Sequence, residues 1–267
     1  MTGPNGQNGR MNGAGPRETV IRVRGLTVGF GERNVLENLD IDSYRGEILG
    51  VVGASGTGKT VLSRAILGLV PKRAGTIEVL GVDLDKADAE AREMVDRRLG
   101  VLFQMGALFS SLTVLQNVQV PMREHLNLSP RLMDELARLK IELVGLPPDA
   151  AGKYPSELSG GMTKRAGMAR ALALDPEIVF LDEPTSGLDP IGAGEFDELI
   201  GTLRDALGLT VFMVTHDLDS LHTVCDRIAV LADRRVLIEG SMAEMLKFDH
   251  PWVKSYFRGA RARGIRA

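Results

Sequence analysis

The stretch Gly53-Ala54-Ser55-Gly56-Thr57-Gly58-Lys59-Thr60 fits the spacing GxxxxGK[ST], and nothing else in the chain restricts the fold as tightly. The apolar run ILGVV precedes it and the helical run VLSRAILGLV follows it, so the loop is expected to join a buried strand to a helix. Glycines let such a loop curl until successive N–H groups converge on phosphate oxygens, and the helix N-terminus adds the positive end of its dipole. All eight residues are candidate nucleotide ligands. Lys59 is predicted to reach the β- and γ-phosphates and Thr60 to offer its hydroxyl to Mg²⁺.

A loop of this kind calls for a second strand that delivers a carboxylate to the metal. Glu177-Ile178-Val179-Phe180-Leu181 runs apolar into Asp182-Glu183, which places both acids at the carboxyl end of a strand, where parallel sheets bind ligands. Asp182 is the predicted metal ligand, and Glu183 is placed to polarise an attacking water. His216, one of four histidines, directly follows the strand TVFMVT and is expected to face the same site. His125, His222 and His250 have no such placement.

From Val20 onward, aliphatic and β-branched runs alternate with helical patterns, which indicates an α/β chain with a largely parallel sheet. Strands are predicted near 20–28, 47–52, 76–80, 100–103, 177–181 and 210–214, with a hairpin 228–231/235–238 around Asp233-Arg234. Between about Gly106 and Leu174 the strand signal gives way to helical periodicity. There Ser129-Pro130 starts a helix whose Leu132, Leu136, Leu139 and Leu143 are expected to face the core, with Gly145 ending it.

The chain has 267 residues, 44% of them apolar, which suffices for a large core. Its net charge of −3 argues against a general nucleic-acid binder. The single cysteine, Cys225, excludes an intrachain disulfide and reads as a small core residue. Residues 1–17 are rich in Gly and Asn and are expected to form a disordered tail. No apolar stretch approaches the ~20 residues that span a bilayer, so a transport role would need a separate membrane partner. The last segment, 248–267, is basic and carries Trp252 and Tyr256 four apart, either a docking face or a solvated terminus.

These residues together resemble the ABC ATPase family over about 20–240. Leu158-Ser159-Gly160-Gly161-Met162 is similar to the family's LSGGQ signature, Ser186-Gly187-Leu188-Asp189 to its D-loop, Gln104 in LFQ to its Q-loop and His216 to its H-switch. Phe30 stands where the family places an aromatic that stacks on adenine, and on sequence alone it is as good a core residue. The resemblance implies a P-loop NTPase (RecA-like) core with an N-terminal antiparallel β-subdomain and an inserted helical subdomain. The ATPase domain would cover 18–247, followed by a C-terminal extension. It also implies that Glu183, His216 and Gln104 are catalytic and that Thr60, Gln104 and Asp182 bind Mg²⁺. Ser159 can cap the helix that follows it, leaving the N–H groups of Gly160 and Gly161 open to phosphate. By resemblance that phosphate belongs to ATP on another copy, with Asp189 nearby, in a head-to-tail dimer.

Met162 departs from the usual glutamine. With FQMGALFSSLTVLQNVQVPMREH and LSGGMTKRAGMARALALDPEIVFLDEPTSGLDP, it makes the chain similar to the ATPases of Mla/MCE-type lipid transport systems. That likeness implies a peripheral subunit on the cytoplasmic face of a bacterial inner membrane, an integral-membrane permease and an MCE-domain lipid-binding protein. It also implies a C-terminal extension by which two copies grip each other. The alternatives are an ABC ATPase serving another small-molecule transporter, and a non-transport ABC protein.

Overall fold

The computed structural model describes residues 17–104 and 106–259. Two sheets form the framework. An antiparallel sheet has the order β2-β1-β4-β5, from β1 (Thr19–Phe30), β2 (Arg33–Tyr44), β4 (Ala74–Val79) and β5 (Val82–Asp83). The central sheet is built from β3 (Ile48–Gly53), β6 (Leu99–Leu102), β7 (Ile178–Asp182), β8 (Thr210–Val214), β9 (Arg227–Ala232) and β10 (Arg235–Gly240). Its order is β10-β9-β3-β8-β7-β6, parallel except for the β9–β10 hairpin. The hairpin closes through Asp233 and Arg234, both at positive φ, as a two-residue turn between twisted strands requires.

Sequence patterning did not predict β2 or the two-residue β5. In β2 the exposed positions carry Glu37, Asn38 and Asp40, and buried Leu36, Leu39 and Ile41 are spaced irregularly. Register shifts in its pairing with β1 break the period-2 signal that would have disclosed it. By contrast β3 and β8 are buried at every position, as in parallel strands covered on both faces.

Nine helices are described: α1 (Lys59–Ile66), α2 (Ala89–Asp96), α3 (Val114–His125), α4 (Pro130–Leu143), α5 (Gly160–Ala171), α6 (Pro190–Leu207), α7 (Leu218–Thr223), α8 (Met242–Lys247) and α9 (Pro251–Arg258). α3, α4 and α5 lie between β6 and β7. Successive side chains of the central strands point to opposite faces. Val179, Leu181, Val211 and Met213 therefore join the core under α3–α6, while Ile178, Phe180, Phe212 and Val214 join the core against the antiparallel sheet. Among the described residues no helix is long and apolar enough to cross a membrane.

One expectation is corrected and one open alternative is removed. α4 starts as predicted, with the Leu132 N–H donating to Ser129 Oγ and Pro130 in the first turn, but it turns a different face inward. Ala137, Lys140 and Ile141 are buried, Leu136 and Leu143 pack at the margin, and Leu132 and Leu139 are exposed. The small Ala137 lets the helix approach closely, and Lys140 buries its stem while its ammonium pairs with Asp175. The C-terminal segment is also not a solvated end over 251–258. There α9 buries Val253 and Phe257 against Leu221, Val230 and Met245, and residues 260–267 lie outside the described residues, as do 1–16. Cys225 packs beside Gly50, where an added Cβ would sit 2.7 Å from its Sγ, and burial pushes its thiol far up.

Candidate nucleotide site

The phosphate loop leaves β3 at Gly53 and enters α1 at Lys59. An added Cβ on Gly53 would lie 2.5 Å from the Leu231 carbonyl, so the strand end has no room for a side chain. Gly58 caps α1 at φ 98°, a left-handed conformation that glycine adopts without strain. The loop is backed by Val35 and Leu36 of β2, whose side chains would lie 2.9 and 2.7 Å from a Gly58 Cβ. Phe30 occupies the β1–β2 turn beside that backing, paired with Arg33, and is 56% exposed. The structure thus removes the core alternative for Phe30.

Inside the loop the Lys59 ammonium donates to the carbonyls of Gly53 and Ala54, at 2.9 and 3.2 Å. Burial lowers its pKa, an effect opposed by the charges of Glu183 and Asp182. Thr60 Oγ1 lies 3.2 Å from Asp182 Oδ1, its hydroxyl donating to the carboxylate. Asp182 is itself shifted upward by burial, against the lowering effects of Thr60 and of Arg64, Lys164 and Lys59. A half-buried carboxylate that its neighbours do not fully compensate, facing a hydroxyl, suits a hard divalent cation. Among the described residues no three His, Cys, Asp or Glu side chains gather as a metal cluster.

Glu183, next along the chain, is buried down to 14% of its side chain, and its Oε2 lies 2.5 Å from His216 Nδ1. His216 is 66% exposed, so the pair runs from the protein interior to the open face. A carboxylate and an imidazole in this arrangement can orient a water between them and a terminal phosphate. The loop after His216 is fixed from two sides. Asp217 caps α7 through Asp219 N–H, and the Tyr256 hydroxyl of α9 donates to the His216 carbonyl at 2.7 Å.

The structure therefore brings Lys59, Thr60, Asp182, Glu183 and His216 into one site. Gln104 lies in the turn that follows β6, with its carbonyl bound by Lys164. Ser159 caps α5, accepting from Met162 N–H at 3.3 Å, and positions 160 and 161 open the helix. An added Cβ on Gly160 would have Leu188 and the Gly187 carbonyl, in the loop after β7, as its nearest neighbours. Asp189 is a helix cap, its Oδ1 accepting from Ile191 and Gly192 N–H at 3.1 and 2.9 Å. Lys164 was missed by sequence reasoning. The available signal was its spacing, since Lys164, Met168 and Ala171 fall on one face of α5 and all three are buried.

The sequence profile described as ABC transporter matches residues 36–186, more than half of the chain. The chain belongs to the ABC transporter family. Within it, the chain is 38% identical over 242 residues to the intermembrane phospholipid transport system ATP-binding protein MlaF of Haemophilus influenzae, covering 91% of each. It is 37% identical to a probable ribonucleotide transport ATP-binding protein, mkl, of Mycobacterium leprae, covering 96% of this chain and 72% of the relative. Among solved structures, a dimeric ATP-binding cassette in a post-hydrolysis state bound to ADP and Pi superposes with a TM-score of 0.75 at 28% identity. That match covers 83% of this chain and 98% of the cassette. As an ABC cassette the chain binds and hydrolyses ATP.

Proposed function

We propose that this ABC ATPase powers phospholipid movement between the two membranes of a bacterial envelope, acting through a separate permease at the cytoplasmic face of the inner membrane. The observation that carries this reading is the likeness to MlaF, which runs over nine-tenths of both chains and includes the core, the site and the helices between β6 and β7. The relative mkl is equally similar in sequence, which keeps ribonucleotide or other small-molecule transport as the second reading.

Chemically, the phosphate loop and Lys59 would hold the β- and γ-phosphates, and the exposed Phe30 ring would stack on the base. Thr60 and Asp182, with the Gln104 side chain, would hold Mg²⁺, which neutralises phosphate charge when bound. Glu183 accepts the proton of the attacking water, and His216, beside Glu183, orients that water and contacts the γ-phosphate. The signature end at Ser159–Gly161 is unobstructed, an added Cβ on Gly161 meeting nothing within 4 Å. It would meet the nucleotide of a second copy, giving a head-to-tail homodimer with two shared sites.

The permease would dock in the open hollow lined by Leu99, Val101, Phe109, Val120, Pro121 and Leu174, which continues past Met94 of α2. Exposed Phe109 and Met94 give it an apolar floor just beyond the Gln104 turn. An MCE-domain lipid-binding protein is the expected third component. The test is reconstitution of the chain with its neighbouring permease in liposomes. ATP-dependent transfer of labelled phospholipid to acceptor vesicles is expected; ATPase stimulation by ribonucleotides with no lipid transfer would favour the second reading.

A further inference from the structure

Glu183 stands at φ +52°, the left-handed region that a residue with a side chain occupies only when its surroundings impose it. Both of its peptide groups are held. Its N–H donates to the Val214 carbonyl of β8 at 2.8 Å, and its carbonyl accepts from Lys164 Nζ at 3.0 Å. Lys164 is 5% exposed, a buried ammonium on the first turns of α5, and it donates to the Gln104 carbonyl as well. One side chain of the signature helix thus bridges the main chains of two residues of the nucleotide site.

The helix that carries Lys164 is locked to the loop after β6 by independent contacts. Arg170 donates to the carbonyls of Gly106 and Ala107, at 3.0 and 2.7 Å. Gly167 passes so near that an added Cβ would lie 2.6 Å from the Leu102 side chain and 3.3 Å from the Gly106 backbone. α5 and this loop therefore move as one body, and Lys164 ties that body to Glu183. A buried cation is costly unless its hydrogen bonds are satisfied, so a lysine whose job were packing alone would be better replaced by an apolar residue.

We propose that Lys164 is a positioning residue for ATP hydrolysis. Its ammonium holds the Glu183 main chain in the left-handed conformation that aims the carboxylate at His216, and it passes to Glu183 any shift of the Gln104 loop and the signature helix. The proposal rests on the base role of Glu183 given above. It makes the catalytic carboxylate responsive to the two segments that a permease and a second copy would touch.

The test uses the full chain with K164M, which keeps length and volume but removes the donors, and K164R, which keeps donors and charge. K164M is expected to lower kcat roughly 10- to 100-fold, since a small misplacement of a catalytic group has that effect. Its KM and its affinity for a fluorescent ATP analogue stay within about two-fold, the signature of lost transition-state alignment. Its melting temperature stays level or rises, because a desolvated charge is gone. K164R should recover most of kcat. In an E183Q background, K164M should have little further effect on single-turnover hydrolysis, because the group it positions is already disabled.

Wild-type kcat in K164M overturns the proposal, and so does a loss of kcat that merely tracks loss of nucleotide affinity and of melting temperature. An undiminished effect of K164M on top of E183Q, or a folded K164R as impaired as K164M, also counts against it. If K164M does not fold, K164R alone decides, by whether kcat is retained. The two readings fail separately: normal turnover in E183Q removes the base role, whereas an inactive E183Q beside an unimpaired K164M removes only the Lys164 assignment.

Discussion

The phosphate loop and the signature end both open helices, yet they are finished differently. The phosphate-loop side is satisfied from within: Lys59 binds loop carbonyls, Thr60 binds Asp182, and His216 meets Glu183. The signature side faces open space. An added Cβ on Gly161 meets nothing within 4 Å, and one on Gly160 finds its nearest atom at 3.7 Å. One end of the molecule is thus a preformed receptor, while the other is a donor surface with no acceptor of its own.

The sharpest way to break this contrast is at the receptor side. E183Q should bind ATP and accumulate as a dimer while hydrolysis falls roughly 100- to 1,000-fold, the range a general base supplies; steady-state phosphate release with sedimentation reads both. Next comes the donor side. G161E fits sterically but brings a carboxylate to where a phosphate must sit, so it should leave ATP binding by the isolated chain intact and abolish dimer-dependent hydrolysis. Mixed one-to-one with K59A, which fails at the opposite half, it should regain up to roughly a quarter of wild-type activity, because half of the dimers then hold one complete site. No recovery on mixing would break the two-chain reading.

A smaller effect is expected at Phe30. F30A should weaken nucleotide binding by ~1–3 kcal/mol if the ring stacks on the base, with kcat nearly unchanged when ATP saturates; equal affinity in titration calorimetry would remove the stacking role. The smallest lies outside the site. Asp197 on α6 is buried, its Oδ2 accepts from Ser220, its Oδ1 has no partner, and burial pushes its carboxyl up to about 6 from 3.8. A raised folded-state pKa means stability that is full below about pH 4 and is lost as pH rises through about 6. D197N should therefore stabilise the protein by roughly 1–2 kcal/mol at pH 8, with the gain shrinking toward pH 5; parallel urea melts check this, and a pH-independent difference would refute it.

The receptor half was the legible half. Its strands are buried on both faces and read as unbroken apolar runs, and the loop's chemistry sits in consecutive residues, so order along the chain equals order in space. What escaped depends on packing between distant segments. β2 hides because bulges interrupt its alternation. The inward face of α4 could not be chosen by leucine content, since a close approach at Ala137 and the Lys140–Asp175 pair decided it. Lys164 belongs to no predicted site, because its partners, the Gln104 and Glu183 carbonyls, come together only in the fold.

The Tyr256 contact reaches beyond catalysis. α9 covers Val52, Leu221 and Val230, the first of which leads straight into the phosphate loop, and its hydroxyl steadies the carbonyl of His216. Synthesis delivers these residues near the end of the described chain, after every strand of the sheet has been made. A nascent cassette whose α9 has not yet been made therefore presents an uncovered apolar patch beside an unsupported histidine loop. Docking of α9, rather than formation of the sheet, marks the moment at which the histidine loop acquires its Tyr256 support.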